Sequence, residues 1–189
     1  MTILAQENNG LITAEELEQF PSDFRYELIR GVLREMQPPA GEEHGVLTFE
    51  LSMHIGRFVK EHKLGRCYAA GTGFITSRNP DTVVAVDFAF ISAGRILSRP
   101  IPGYVAIAPD IVLETRSTWD RKQDIAEKIE RWLAAGVKMV IDLDPTKRQM
   151  TVCRSEAEPR VLTLEDTFFG EDVLPGFSLP IRKIFQDSV

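Results

Sequence analysis

Thr82-Val-Val-Ala-Val-Asp87-Phe-Ala-Phe-Ile91 decides how this chain is read. Nearly every residue is apolar or β-branched, the composition of a strand packed on both faces. One carboxylate, Asp87, interrupts it. An ionised Asp in such a run costs on the order of several kcal/mol unless it is hydrogen-bonded, paired or bound to a metal.

The flanking sequence alternates helix and strand. Upstream, residues 43–61 carry Leu47, Leu51, Ile55 and Phe58 on one helical stripe, and Gly65 closes the helix before a strand over Arg66–Ile75. Downstream, Asp110–Thr115 reads as a strand, and Ser117, Thr118 or Asp120 can cap a helix that runs to Ala135 and stops at Gly136. Val137–Leu143 is a near-continuous apolar strand, which suggests a central place. Ahead of this core, Thr13 with Glu16 has capping-box spacing, and Tyr26–Ile29 with Val32–Met36 flank Arg30-Gly31 as a hairpin. After it, Gln149–Arg154 and Arg160–Leu164 read as an antiparallel extension, followed by a closing segment at Leu179–Phe185. The core order is helix, strand, strand, strand, helix, strand: a mixed α/β domain with one central sheet.

At 189 residues the chain has the size of one domain, expected over residues 13–189 behind a flexible arm at 1–12. Hydrophobic residues at 43% and charged residues at 26% exclude a disordered chain. No apolar run approaches the roughly 18 residues of a membrane span, and the first ten residues lack the form of a signal peptide. Cys67 and Cys153 are too few for a disulfide framework and read as reduced core residues of a cytoplasmic protein. The net charge of −6 argues against indiscriminate nucleic-acid binding, yet residues 51–109 carry a balance of +4 that permits a local phosphate-facing surface.

Glu114 repeats the pattern of Asp87 at the end of Ile111-Val-Leu-Glu114. Two acids embedded in neighbouring apolar strands repel unless a cation lies between them, and all-oxygen ligation suits Mg²⁺ or Mn²⁺. Hydrogen bonds at a sheet end, or pairing with a nearby Arg, are the structural alternative. Lys128 falls on or beside the apolar stripe of its helix, Ile125, Ile129, Trp132 and Leu133. It either snorkels towards solvent or pairs with Asp124 at i−4, or it points at the two acids to hold a phosphate or orient a water. Arg116, two residues beyond Glu114, faces the same side if the strand continues, as a phosphate clamp or as a partner for Glu114. Glu27 adds a third acid if the hairpin folds over the sheet, and His44 can donate to a phosphate.

The succession of Asp87, Glu114 and Lys128 on strand, strand and helix resembles the PD-(D/E)xK nuclease superfamily. More narrowly, Tyr26-Glu-Leu-Ile-Arg-Gly31, His44, Pro109-Asp-Ile-Val-Leu-Glu114, Asp124 to Lys128, Ala135-Gly-Val137, Val140-Ile-Asp142 and Leu174-Pro-Gly-Phe177 resemble the Uma-two family of restriction-endonuclease-like proteins. The resemblance implies a restriction-endonuclease-like αβββαβ core with an N-terminal hairpin and added C-terminal strands. It also implies a metal site of Asp87 and Glu114 with Glu27 as accessory acid, and the catalytic lysine moved to the helix at Lys128. Two positions depart from the pattern: Val86 stands where proline is favoured, and Arg116 where related nucleases carry the strand lysine. The expected function is Mg²⁺- or Mn²⁺-dependent hydrolysis of a phosphodiester, with DNA as partner, Asp87 and Glu114 holding the metal, and Arg116 and His44 binding the phosphate. A homodimer would suit cutting two strands. The alternatives are an inactive nuclease scaffold serving as an interaction module, and hydrolysis of another phosphoester.

Overall fold

The capping box read from Thr13 and Glu16 is formed, with Glu16 N donating to Thr13 Oγ1 at 3.2 Å and Thr13 N to Glu16 Oε2 at 2.7 Å. The structure is a computed structural model and describes residues 10–21, 25–36 and 38–186. In chain order its elements are α1 (Ala14–Leu17), β1 (Tyr26–Ile29), β2 (Val32–Glu35), α2 (Glu42–Glu61), β3 (Gly65–Tyr68), β4 (Gly73–Ser77), β5 (Thr82–Ala85), β6 (Phe88–Ser92), β7 (Ile111–Thr115), α3 (Lys122–Ala134), β8 (Met139–Asp144), β9 (Gln149–Cys153), β10 (Arg160–Leu162), β11 (Thr167–Phe169), β12 (Ser178–Pro180) and α4 (Ile181–Gln186). Of the expected N-terminal arm, residues 1–9 lie outside the described residues. Ile12 N already donates to Gly31 O at 2.8 Å.

Two sheets, and not one, organise the core. The larger has the order β10-β9-β8-β7-β6-β3, with β7 and β8 parallel and the other neighbours antiparallel; β8 lies inside it as its apolar run predicts. The smaller has the order β2-β1-β5-β4, and β11 pairs separately with β12. The two long strands expected at Arg66–Ile75 and Thr82–Ile91 each divide between the sheets. β3 pairs with β6 in the large sheet and β4 with β5 in the small one, so the four strands form one bent ribbon. At the bend Gly71 N donates to Val86 O at 2.9 Å and Val86 N to Thr72 O at 3.3 Å. Gly71 sits at φ +81°, a left-handed conformation that glycine adopts without strain. Apolar alternation runs unbroken through Val86-Asp87 because both sides of the bend are buried, so hydropathy does not register the turn.

The large sheet is covered on both faces. Leu47, Leu51, Ile55 and Val59 of α2 pack on Phe88, Phe90, Ile111 and Leu113, joined by α4 and the C-terminal strands through Phe168, Leu179, Ile181 and Ile184. Val59 takes the inward place expected of Phe58, whose half-buried ring meets Phe177 edge-on at 5.2 Å. On the opposite face α3 buries Trp132 against Phe74, Ala89, Val112 and Val140. This helix starts at Lys122, later than expected, because Asp120 Oδ2 accepts from Ser117 N at 2.6 Å and closes a separate turn first. Both cysteines are unpaired, and burial pushes each thiol up to about 11. Among the described residues no helix is long and apolar enough to cross a membrane.

Candidate active site

The bend at Val86-Asp87 releases Asp87 from the strand ladder at the end of the large sheet. In β6, Phe88 and Phe90 face α2 while Ala89 and Ile91 face α3; Asp87, just ahead of the strand, meets the first turn of α2 and feels the Lys128 charge of α3. Asp87 Oδ2 accepts from Thr115 N at 2.8 Å and lies 3.2 Å from Nε2 of His44, in the first turn of α2. Burial alone would raise this carboxyl; the His44 contact, the Thr115 amide and the Lys128 charge outweigh it and hold it below the usual range. His44 is raised in turn, chiefly by its hydrogen bond to Asp87 and against the cost of burial.

Glu114 obeys the same alternation. Ile111 and Leu113 of β7 face α2, so Val112 and Glu114 face α3. The Glu114 carboxylate is buried and meets two residues of that helix: Trp132 Nε1 donates to Oε1 at 2.8 Å, and Lys128 Nζ stands 2.6 Å from Oε2. Burial pushes the carboxyl up to about 7, opposed by Lys128 and the Trp132 hydrogen bond and reinforced by the nearby Asp87 charge. Burial acts to lower Lys128, but Glu114, Asp87 and Glu27 prevail and hold its ammonium above the ordinary lysine range. The helix spacing therefore aims Lys128 inward, as the sharper reading of its stripe position requires. Trp132 is a site residue that the stripe alone did not distinguish from core; the signal was that a buried indole N–H needs an acceptor.

The hairpin folds over so that Glu27 Oε1 accepts from Ala85 N at 3.1 Å, close enough for its charge to act on Lys128. Arg116 lies on the same side as Glu114 but pairs elsewhere. Its Nε and Nη2 donate to Asp142 Oδ1 and Oδ2 at 2.8 and 2.6 Å, and Nη1 donates to Asp144 Oδ2 at 2.8 Å. Asp142 and Asp144 were legible by the argument used for Asp87, since both are carboxylates in or at the end of the apolar run that forms β8.

A family model described as "Putative restriction endonuclease", Uma2, matches residues 14–182. The chain belongs to the Uma2 family. No curated protein matches the sequence. Among solved structures, the crystal structure of a putative nuclease belonging to DUF820 from Anabaena variabilis ATCC 29413 is similar over 94% of this chain and 99% of that one, with a TM-score of 0.79 and 22% identity. The likeness shows a shared α/β fold, the one expected from the sequence.

Whether this Uma2 site suits a divalent cation depends on its donors. Among the described residues no group of three or more His, Cys, Asp or Glu side chains converges to hold a metal. Asp87 and Glu114 supply carboxylate oxygens, the donor type that suits a hard ion such as Mg²⁺, which takes one or two carboxylates and keeps several waters. Glu114 Oε2 accepts no well-aligned hydrogen bond, leaving a buried carboxylate oxygen whose close partner is the Lys128 ammonium. A space of about 60 Å³ beside Glu114, Lys128, Asp124 and Asp142 adjoins a cleft of about 380 Å³ lined by His44, Arg116, Ser117 and Lys122.

Proposed function

We propose that the chain is a metal-dependent phosphodiesterase, an endonuclease acting on DNA. The observation that carries this reading is the gathering of Asp87, Glu114 and Lys128 at one sheet end, near enough to act on one another's charge, with the ammonium 2.6 Å from the buried carboxylate. Mg²⁺ or Mn²⁺ held by Asp87 and Glu114, with Glu27 as outer acid, would polarise the phosphoryl oxygens and make a bound water more acidic. Lys128, kept protonated by its acidic neighbours, is a hydrogen-bond donor and not a base; it orients the attacking water and offsets charge on the phosphoryl group. His44 donates to Asp87, fixes that carboxylate, and brings positive charge to the mouth of the cleft. Arg116 serves the phosphate through the rim of the same cleft, with its guanidinium anchored by Asp142 and Asp144. Two chains in a dimer would set two such sites against the two strands of a duplex.

The test is cleavage of duplex DNA by purified protein with Mg²⁺ or Mn²⁺, beside calorimetric titration with Mn²⁺ alone. Asp87→Asn and Glu114→Ala should abolish cleavage and weaken Mn²⁺ binding; equal cleavage by wild type and Glu114→Ala removes the proposed role. One observation favours a second reading, a scaffold without activity that serves as an interaction module. Lys128 already compensates Glu114, and such a scaffold would bind no Mn²⁺.

A further inference from the structure

A second cleft, of about 550 Å³, lies between the β1–β2 hairpin and α3, and none of the candidate catalytic residues lines it. Arg30 and Arg34 enter it from the hairpin, Arg78 from the β4–β5 turn and Arg131 from α3, against Glu127 and Glu130. Arg78 is neutralised, since its guanidinium pairs with Glu15 at 2.8 Å and Asp81 at 2.8 Å. Arg30, Arg34 and Arg131 have no ion pair among the described residues. The turn bearing Arg30 is tied down, with Arg30 N donating to Thr82 Oγ1 at 3.0 Å and Gly31 N to Asp81 O at 2.7 Å. A fixed turn and a packed helix thus present three unpaired guanidiniums to one cleft. Guanidinium groups meet phosphate oxygens through paired N–H donors, and their mutual repulsion is relieved by a polyanion.

The cleft is joined to the candidate site through both of its walls. On α3, Lys128 immediately follows Glu127 and lies three residues, about one turn, before Arg131. On β1, Glu27 lies two residues from Ile29, which lines the cleft, and Glu27 acts electrostatically on Lys128. We infer that this cleft carries the sugar-phosphate backbone of DNA beyond the scissile bond, with Arg30, Arg34 and Arg131 as its phosphate ligands. The inference rests on the nuclease reading and extends it, because the groups named bind backbone and take no part in chemistry. It also gives a protein of net charge −6 a local set of cations for a polyanionic substrate.

The experiment is fluorescence anisotropy of a labelled mixed-sequence DNA duplex in Ca²⁺, across about 50 to 200 mM salt, with cleavage in Mg²⁺ measured in parallel. Each of Arg30→Ala, Arg34→Ala and Arg131→Ala should reduce the slope of log K against log salt by about 0.9, and the triple variant by about three times that. Arg57→Ala, which removes an exposed α2 arginine paired with Glu61 at 2.7 Å, should leave the slope unchanged. Circular dichroism checks that the variants fold. Wild-type binding and cleavage with unaltered slopes in the three variants overturns the groove and leaves the nuclease reading standing. A slope change as large in Arg57→Ala also overturns it, as does wild-type protein that neither binds nor cleaves, in which case both readings fall together.

Discussion

The Lys128 ammonium stands 2.6 Å from Glu114 Oε2, while the other oxygen of the same carboxylate accepts the Trp132 indole N–H at 2.8 Å. One turn of α3 therefore supplies both partners of a buried acid on β7. Burial and the Asp87 charge raise that acid against the opposing pull of Lys128, while Glu114 and Asp87 hold the ammonium charged.

Trp132 reports on Glu114 directly. In metal-free Trp119→Phe protein, which lacks the 72% exposed indole, the emission of Trp132 should titrate with a midpoint near pH 7, where burial has lifted the carboxyl. The folded-state pKa lies above the ordinary 4.5, so the stability associated with the proton is full below about pH 4.5 and is lost as pH rises through about 7. Glu114→Gln should erase the emission titration, and its stability relative to wild type should improve with rising pH. A pH-independent spectrum of the Trp119→Phe protein counts against the coupling.

Lys128→Met should lower cleavage about 10²–10³-fold, the usual effect of removing one preorganised donor. The same change withdraws the charge that opposes Glu114 protonation, so the Trp132 emission midpoint should move above 7. The stability deficit of this variant should be small near pH 5, where Glu114 is neutral, and grow towards pH 8. Urea midpoints at the two pH values check it.

The pKa values of His44 and Asp87 are displaced in opposite directions. His44 is raised above 6.5, so its contribution to stability is complete below pH 6.5 and disappears as pH rises through the raised value. Asp87 is lowered below 3.8, so its contribution holds above that pH and goes only as the solution becomes more acidic. In metal-free protein His44→Gln should cost more stability near pH 6 than near pH 9. Equal destabilisation at both pH values would show that the contact is not charge-assisted.

Arg116→Ala leaves Asp142 and Asp144, with side chains only 2% and 10% exposed, without their shared guanidinium. Removing one partner of a buried pair costs about 3–5 kcal/mol, and Arg116→Lys should recover only part of it because an ammonium lacks the planar fork. Chemical denaturation measures this; an unchanged midpoint would make Arg116 a substrate ligand with no structural burden.

Several features were legible one residue at a time. Asp87, Glu114 and Lys128 announced themselves as charges where periodicity demands apolar side chains, and a buried charge is expensive enough to imply a partner. The partner's identity was not legible. Arg116 and Glu114 share a strand face, yet the guanidinium meets Asp142 and Asp144, because β8 lies beside β7 in parallel register with Asp142 opposite Glu114. The role of Gly71 emerges only with the bend that it permits beside Val86.

The linear chain by itself determined the α/β alternation, the buried faces, the hairpin and the three charged side chains of the candidate site, since each follows from spacing and the cost of desolvation. Only the tertiary structure decided that the expected central sheet is two, that Asp87 falls at their junction, and that arginines 97 positions apart, Arg34 and Arg131, open onto one cleft. Hydropathy records whether a residue is buried but not the direction in which the backbone turns or which distant segment comes to lie beside it. Those are fixed by strand pairing and helix packing across the whole chain.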